Sequence, residues 1–235
     1  MRIFVAGASG IIGRALVAQL VESGHVVTGM TRSLERAVAL EAAGARAVVV
    51  DALDPVGLTA AVVAARPDVV IHQLTDLSTL PGQPIGDAEL RRNARLREEG
   101  TANLVAALVA AGSGRFIAQS IAWLYADGPR PFTEHDPLLP PEPVGAVPTR
   151  RGVHVLERLV TVDPRFDGLV LRYGRLYGAG TWSAQPPEPP TVSVEGAARA
   201  ALLAVDHGEP GIYNVVDDGG PVSNGKARAL LGWSP

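Results

Sequence analysis

The chain has 235 residues, 47% hydrophobic and 19% charged, which is enough for one domain with a full hydrophobic core. Basic residues number 21 against 24 acidic, and a formal net charge of −3 argues against a nucleic-acid-binding face. Twenty of the basic residues are arginine, Lys226 is the single lysine and cysteine is absent, so disulfides, thiolate nucleophiles and Cys-ligated metals are excluded.

Short runs rich in Val and Ile predict strands at 2–6, 25–30, 46–50, 68–72, 115–119, 167–172 and 211–215. Helical spacing between them predicts helices at 11–23, 33–43, 55–65, 87–112, 146–162 and 194–207, with a short one at 223–231. Strands apolar throughout, such as Val48, Val49, Val50 and Val69, Val70, Ile71, belong where helices cover both faces of a sheet. The fold class expected is therefore α/β, a Rossmann-like doubly wound parallel sheet of about seven strands. Ligands on such sheets sit at the carboxyl ends of the strands, which puts the chemistry after residues 6, 30, 50, 72, 119 and 172.

No apolar run reaches membrane-spanning length, and Arg2 to Ala6 leads to glycine too soon for a signal peptide. A cytoplasmic protein without membrane contact is the expectation. His25, His72, His135, His154 and His207 are scattered and form no His-x-x-x-His pair, so no metal site is expected.

Gly7, Ala8, Ser9, Gly10, Ile11, Ile12 and Gly13 follow the first strand and open the first helix. Gly7 can take the tight turn, Gly10 lets a pyrophosphate approach the backbone, and Gly13 allows close helix-on-strand packing. Within a strand–loop–helix–strand unit, this spacing points to a dinucleotide. The second strand ends at Thr31, Arg32 and Ser33 without a carboxylate; Arg32 can pair with a 2′-phosphate, so NADP is expected, with NAD possible. Asp51, past the third strand, can accept from an adenine amino group or stand in water.

Six segments in order carry a further signal: GASGIIG at 7–13, DALD at 51–54, VIHQLTDLS at 70–78, EEGTANLVAA at 98–107, FIAQSIAWLYADG at 116–128 and LRYGRLYGAGTW at 171–182. With VSVEGAARA, GIYNVVDD and KARALLGW near the end, the whole chain resembles the extended branch of the short-chain dehydrogenase/reductase superfamily, the NAD-dependent epimerase/dehydratase-like proteins. The resemblance implies one domain over 1–235, with a dinucleotide-binding core over 1–172 and a substrate-side segment over 173–235. It implies cofactor contacts from Gly7, Ser9, Gly10, Ile11, Ile12, Gly13, Arg32, Asp51, Ala52, Leu74 and Thr75. The segment between Thr181 and Ser193 is short and proline-rich, and a second piece is missing between Asp218 and Asn224, so the C-terminal substrate lobe is reduced.

The family uses a tyrosine for proton transfer, a lysine four residues later to lower its pKa and hold the nicotinamide ribose, and a Ser or Thr after the fifth strand. Anchoring on Glu157 puts Thr149 in the tyrosine slot and Val153 in the lysine slot; anchoring on Tyr125 puts Ile121 in the Ser/Thr slot, beside Ser120. Because Lys226 is the only lysine and Val222 precedes it by four, no Tyr-x-x-x-Lys exists in the chain. A free phenol is almost fully protonated at neutral pH, so the family's usual mechanism has no residues to run on. A substituted apparatus would draw on Tyr125, Ser120, Arg150 and His154, with Asp76 and Ser78 nearby. For Arg150 and His154, one turn apart, a solvent-facing pair is the plainer reading.

Arg91, Arg92, Arg95 and Arg97 read as a solvated helix face or an anion site, and Arg97 alone aligns with a family position near the cofactor. Trp123 can border the nicotinamide or pack in the core. Helices 87–112 and 146–162 carry small and apolar faces that the family commonly pairs across a homodimer; a monomer with these faces covered internally is the alternative. The expected function is an enzyme on a small-molecule substrate with an atypical site, either a reductase or a non-redox cyclase, isomerase or lyase. The alternative is a non-catalytic dinucleotide- or partner-binding protein.

Overall fold

The computed structural model describes residues 1–77, 85–141 and 148–235. Seven parallel strands form one sheet in the order β3, β2, β1, β4, β5, β6, β9: β1 (Arg2–Ala6), β2 (Val26–Thr31), β3 (Arg46–Val49), β4 (Val69–His72), β5 (Arg115–Ile121), β6 (Asp167–Tyr173) and β9 (Gly211–Val215). The order turns back at β1, so β1 and β4 diverge to opposite halves and open a crevice at their carboxyl ends. Two short strands, β7 (Arg175–Tyr177) and β8 (Thr191–Ser193), pair separately beyond β6.

Side chains alternate across each strand and build a core on either face. Ile3 and Val5 of β1 join Ile71, Ile117, Leu169 and Tyr213 beneath α1 (Ile11–Glu22), α7 (Val194–Leu203) and α8 (Gly225–Leu231). Phe4 and Ala6 turn the other way, to Val70, Phe116 and Val170, and meet α3 (Pro55–Ala65), α5 (Thr101–Ala111) and α6 (Pro148–Thr161). Leu16 and Leu20 of α1 are fully buried, each worth roughly 1.5–3 kcal/mol. Trp233 closes the first core and donates its indole N–H to the Gly196 carbonyl at 2.8 Å.

Among the described residues, Ser33 caps α2 (Leu34–Ala42), Asp54 caps α3 and Ser193 caps α7 with their side chains. At α1 the cap position is Gly10, which has no side chain to close it. The structure departs from the sequence pattern in two places. The helix expected over 87–112 is three pieces, α4 (Asp87–Arg95), a π turn at Leu96–Gly100 and α5. The pair β7–β8 was not foreseen, because its register joins Arg175 to Thr191 across a proline-rich segment with no periodicity of its own. Residues 146–147 of the helix expected at 146–162 lie outside the described residues.

Candidate functional site

The glycine loop has the shape its spacing requires. Gly7 is at φ +87°, and a Cβ there would come within 2.7 Å of the Gln73 backbone. A Cβ on Gly13 would lie 2.1 Å from the Gly7 carbonyl oxygen, so only glycine lets α1 start this close to the loop. The Gly10 amide donates to the Gly7 carbonyl at 3.0 Å, and the open first turn of α1, with Ile11 and Ile12, presents N–H groups and a positive dipole end. The hydroxyls of Ser9 and Thr31 meet at 3.1 Å and tie the loop to the end of β2. This cradle fits a pyrophosphate: close backbone approach, free amides and no side chain in the way.

Arg32 follows β2 with its side chain exposed, and Asp76 stands 3.8 Å from it and 3.4 Å from Arg92. The carboxylate missing from the end of β2 thus arrives from the segment after β4, which the sequence order conceals. Asp51 spends one oxygen on the Leu53 amide at 2.9 Å, and buried Ala52 receives the Asn103 side-chain amide on its carbonyl. Leu74 donates its amide to His72 Nδ1 and accepts from Gln119, while Thr75 is exposed at the rim.

His72 is fully buried at the end of β4; its Nδ1 accepts from Leu74 and its Nε2 lies 3.1 Å from the Thr101 hydroxyl. Burial, aided by the Arg97 charge, pulls its pKa down to about 3, so the ring is neutral. Gln73 donates to the Tyr173 hydroxyl at 3.1 Å, and burial, opposed by that bond, pushes the Tyr173 pKa above its usual value.

The residues expected to do chemistry are brought together in part. Ser120 donates to Glu157 at 2.8 Å, and Glu157 takes a bidentate pair from Arg172 at 2.9 and 2.7 Å. Burial works against the Arg172 charge, but its bonds to Glu157 hold its pKa above the usual value. Arg172 also donates to the Tyr125 hydroxyl at 2.9 Å, which in turn donates to Asn214 at 2.7 Å. Tyr125 is 9% exposed, stacks on Phe132 with centroids 5.0 Å apart, and is pushed up in pKa by burial.

His154 is not part of a solvent-facing pair with Arg150: it is half-buried and its Nε2 lies 2.8 Å from the Leu139 carbonyl. Thr149 is half-buried at the start of α6 and Val153 is fully buried one turn on. Trp123 is 38% exposed and Arg175 lies over its ring at 5.4 Å, so it borders the rim rather than the core. Arg91, Arg92 and Arg95 are solvated, whereas Arg97 is buried. Ser78 lies outside the described residues.

Among the described residues, buried side-chain atoms without a hydrogen-bond partner are Gln19 Oε1, Gln73 Oε1, Arg97 Nε and Nη1, and Asn214 Nδ2. Gln73 directly follows β4 and Asn214 lies near the end of β9, so the unspent groups of these two residues lie at the carboxyl edge. Gln73, Tyr173 and Asn214 stand out in the sequence only by their position at or near strand ends.

Residues 7–144 match the family model for NAD(P)H-binding proteins. A 3-diazoavenalumate denitrifying reductase from a Streptomyces species is 42% identical over 240 residues, covering 93% of this chain and 76% of that protein. A 4-hydroxy-2-methyl-3-oxo-4-farnesyl-3,4-dihydroquinoline-1-oxide ketoreductase from Stigmatella aurantiaca is 28% identical over 98% of this chain and 72% of its own. Among solved structures, UDP-glucose 4-epimerase from Thermotoga maritima superposes with a TM-score of 0.78 at 18% identity, covering 100% of this chain and 94% of that one. The Bordetella bronchiseptica enzyme WbmG in complex with NAD and UDP gives 0.76 at 17% identity, over 100% and 88%.

Proposed function

Since the chain belongs to the NAD(P)H-binding family, we propose that it is an NADP-dependent reductase of the extended short-chain dehydrogenase/reductase kind whose substrate needs no proton from the protein at the reacting atom, and that this atom is a ring carbon bearing a diazonium group. The dinucleotide would lie across the carboxyl edge, its pyrophosphate on Gly7, Ser9, Gly10 and the first turn of α1 with Ile11, Ile12 and Gly13. Its 2′-phosphate would meet Arg32, and Asp51, Ala52, Leu74 and Thr75 would border it. When bound, the reduced nicotinamide supplies a hydride.

One observation supports the reading: the glycine cradle is present while the chain has no Tyr-x-x-x-Lys pair. Reducing a carbonyl builds an alkoxide that a positioned acid must protonate. Here the slots for that acid and its lysine hold Thr149 and Val153, and the nearby Tyr125 and Ser120 hydroxyl protons are spent on Asn214 and Glu157. A diazonium carbon makes no such demand. It gains hydrogen with two electrons while the carbon–nitrogen bond pair leaves with N2, and no oxyanion forms. The protein's work is then to orient the ring, exclude water and hold the leaving group clear, with Trp123 and Arg175 at the rim. The name of the Streptomyces relative supports that substrate class.

The test incubates the full chain with NADPH and either an arenediazonium salt or a set of aryl ketones. The reading expects NADPH loss matched by N2 with the first and none with the second. Equal turnover of the ketones overturns it, and tight NADPH binding with no turnover of either assigns the non-catalytic alternative. We also propose the single domain, with its core at 1–172 and substrate side at 173–235, and a homodimer through α4, α5 and α6.

A further inference from the structure

Arg97 takes no part in the chemistry above. It lies on the π turn between α4 and α5 with 4% exposure, and neither its Nε nor its Nη1 has a hydrogen-bond partner. The residues one turn away on either side show which way that face looks. Asn93 accepts from the Asp76 amide at 3.0 Å just past β4, and Thr101 meets His72 at 3.1 Å. Residues 93, 97 and 101 therefore form a stripe facing the carboxyl end of β4.

The other side of the guanidinium is α6, which packs close to α4: a Cβ on Gly152 would lie 3.2 Å from Ala94 Cα. Glu157, one turn beyond Val153, is the carboxylate that acts on the Arg97 charge. Both Glu157 oxygens are already taken by Arg172, and one also by Ser120. Two guanidinium groups thus share one carboxylate, His72 beside them is neutral, and burial draws the Arg97 pKa down to about 10. A buried cation with unspent donors is costly to keep in a folded chain, and an incoming oxyanion relieves that cost.

We propose that Arg97 binds the carboxylate of the substrate, so that the site takes small organic acids. This rests on the dinucleotide-cleft reading, which gives the cofactor's pyrophosphate its own place on the Gly7–Gly13 loop and leaves the substrate as the source of the anion. A planar carboxylate matches the guanidinium, and a lysine would not reproduce the match.

Calorimetry on the full chain saturated with NADP⁺ tests this with cinnamate and its neutral amide, cinnamamide. Wild type should prefer cinnamate by about tenfold or more. R97Q should lose that preference and R97K most of it, with NADP⁺ affinity within about twofold of wild type. A preference that survives in R97Q, or is missing from wild type, overturns the proposal. Loss of NADP⁺ affinity in R97Q with the cinnamate preference retained assigns the guanidinium to the cofactor and overturns it too. If wild type binds no dinucleotide, the functional reading fails and the two probes are compared on the free protein. Thermal denaturation without ligand is independent of both probes. R97M should melt at or a few degrees above wild type, whereas a fall of more than about 5 °C makes Arg97 a structural partner and contradicts the assignment.

Discussion

Arg32 and Asp76 oppose each other across the place proposed for the 2′-phosphate, and the two side chains make opposite predictions. Arg32→Glu should weaken NADP binding by about ten- to a hundredfold, with little effect on NAD, since a charge-assisted bond is replaced by repulsion. Asp76→Asn should strengthen NADP binding by removing a carboxylate beside Arg32. Titrations of both variants with both dinucleotides check the pair, and an unchanged NADP/NAD ratio in Arg32→Glu contradicts the assignment. His72 makes a prediction about acid. Its folded pKa of about 3 lies below the ordinary 6.5, so between those values the unfolded chain holds a proton that the native state excludes. The stability this contributes is complete above pH 6.5 and is lost as pH falls toward 3. Urea midpoints across that window should drop with an extra slope of about one proton in wild type, absent in His72→Gln. The buried Arg172–Glu157 pair belongs to the same scale: Arg172→Met should cost about 3–5 kcal/mol in chemical denaturation, because it strands a buried carboxylate.

At the level of elements, α6 reaches the sheet because Gly152 lets it lie against Ala94 of α4. Gly152→Val should push the two helices apart and cost about 1–3 kcal/mol in the same assay. Strand and helix order was legible because Val-rich runs and helical spacing are local signals, and each expected strand of the sheet is present within a residue or two. The glycine loop was legible for the same reason, since its chemistry lies in adjacent residues. The π turn was not, because it answers to how α4 and α5 seat against α6 and β4, and it is what carries Arg97 inward from a run of otherwise solvated arginines. The polar edge was legible only in part. Ser120 and Tyr125 stood in recognisable motifs, but their partners Glu157, Arg172 and Asn214 come from three other elements, and nothing local records that their protons are spent.

Across the whole molecule, a sheet covered on both faces holds a crevice at its carboxyl edge, and the unspent groups of Gln73 and Asn214 lie there. No helix among the described residues is long and apolar enough to cross a membrane. In the proposed reaction this edge delivers hydride to a carbon that loses N2, without a proton relay. The most direct measurement uses NADPH carrying deuterium at both C4 positions with an arenediazonium carboxylate, following N2 release and the label in the arene by mass spectrometry. Hydride transfer to the diazonium carbon should give a protein-dependent reaction that releases one N2 per NADPH and places one deuterium on the carbon that bore nitrogen. Label confined to solvent or cofactor, or a rate no faster than without protein, would contradict it.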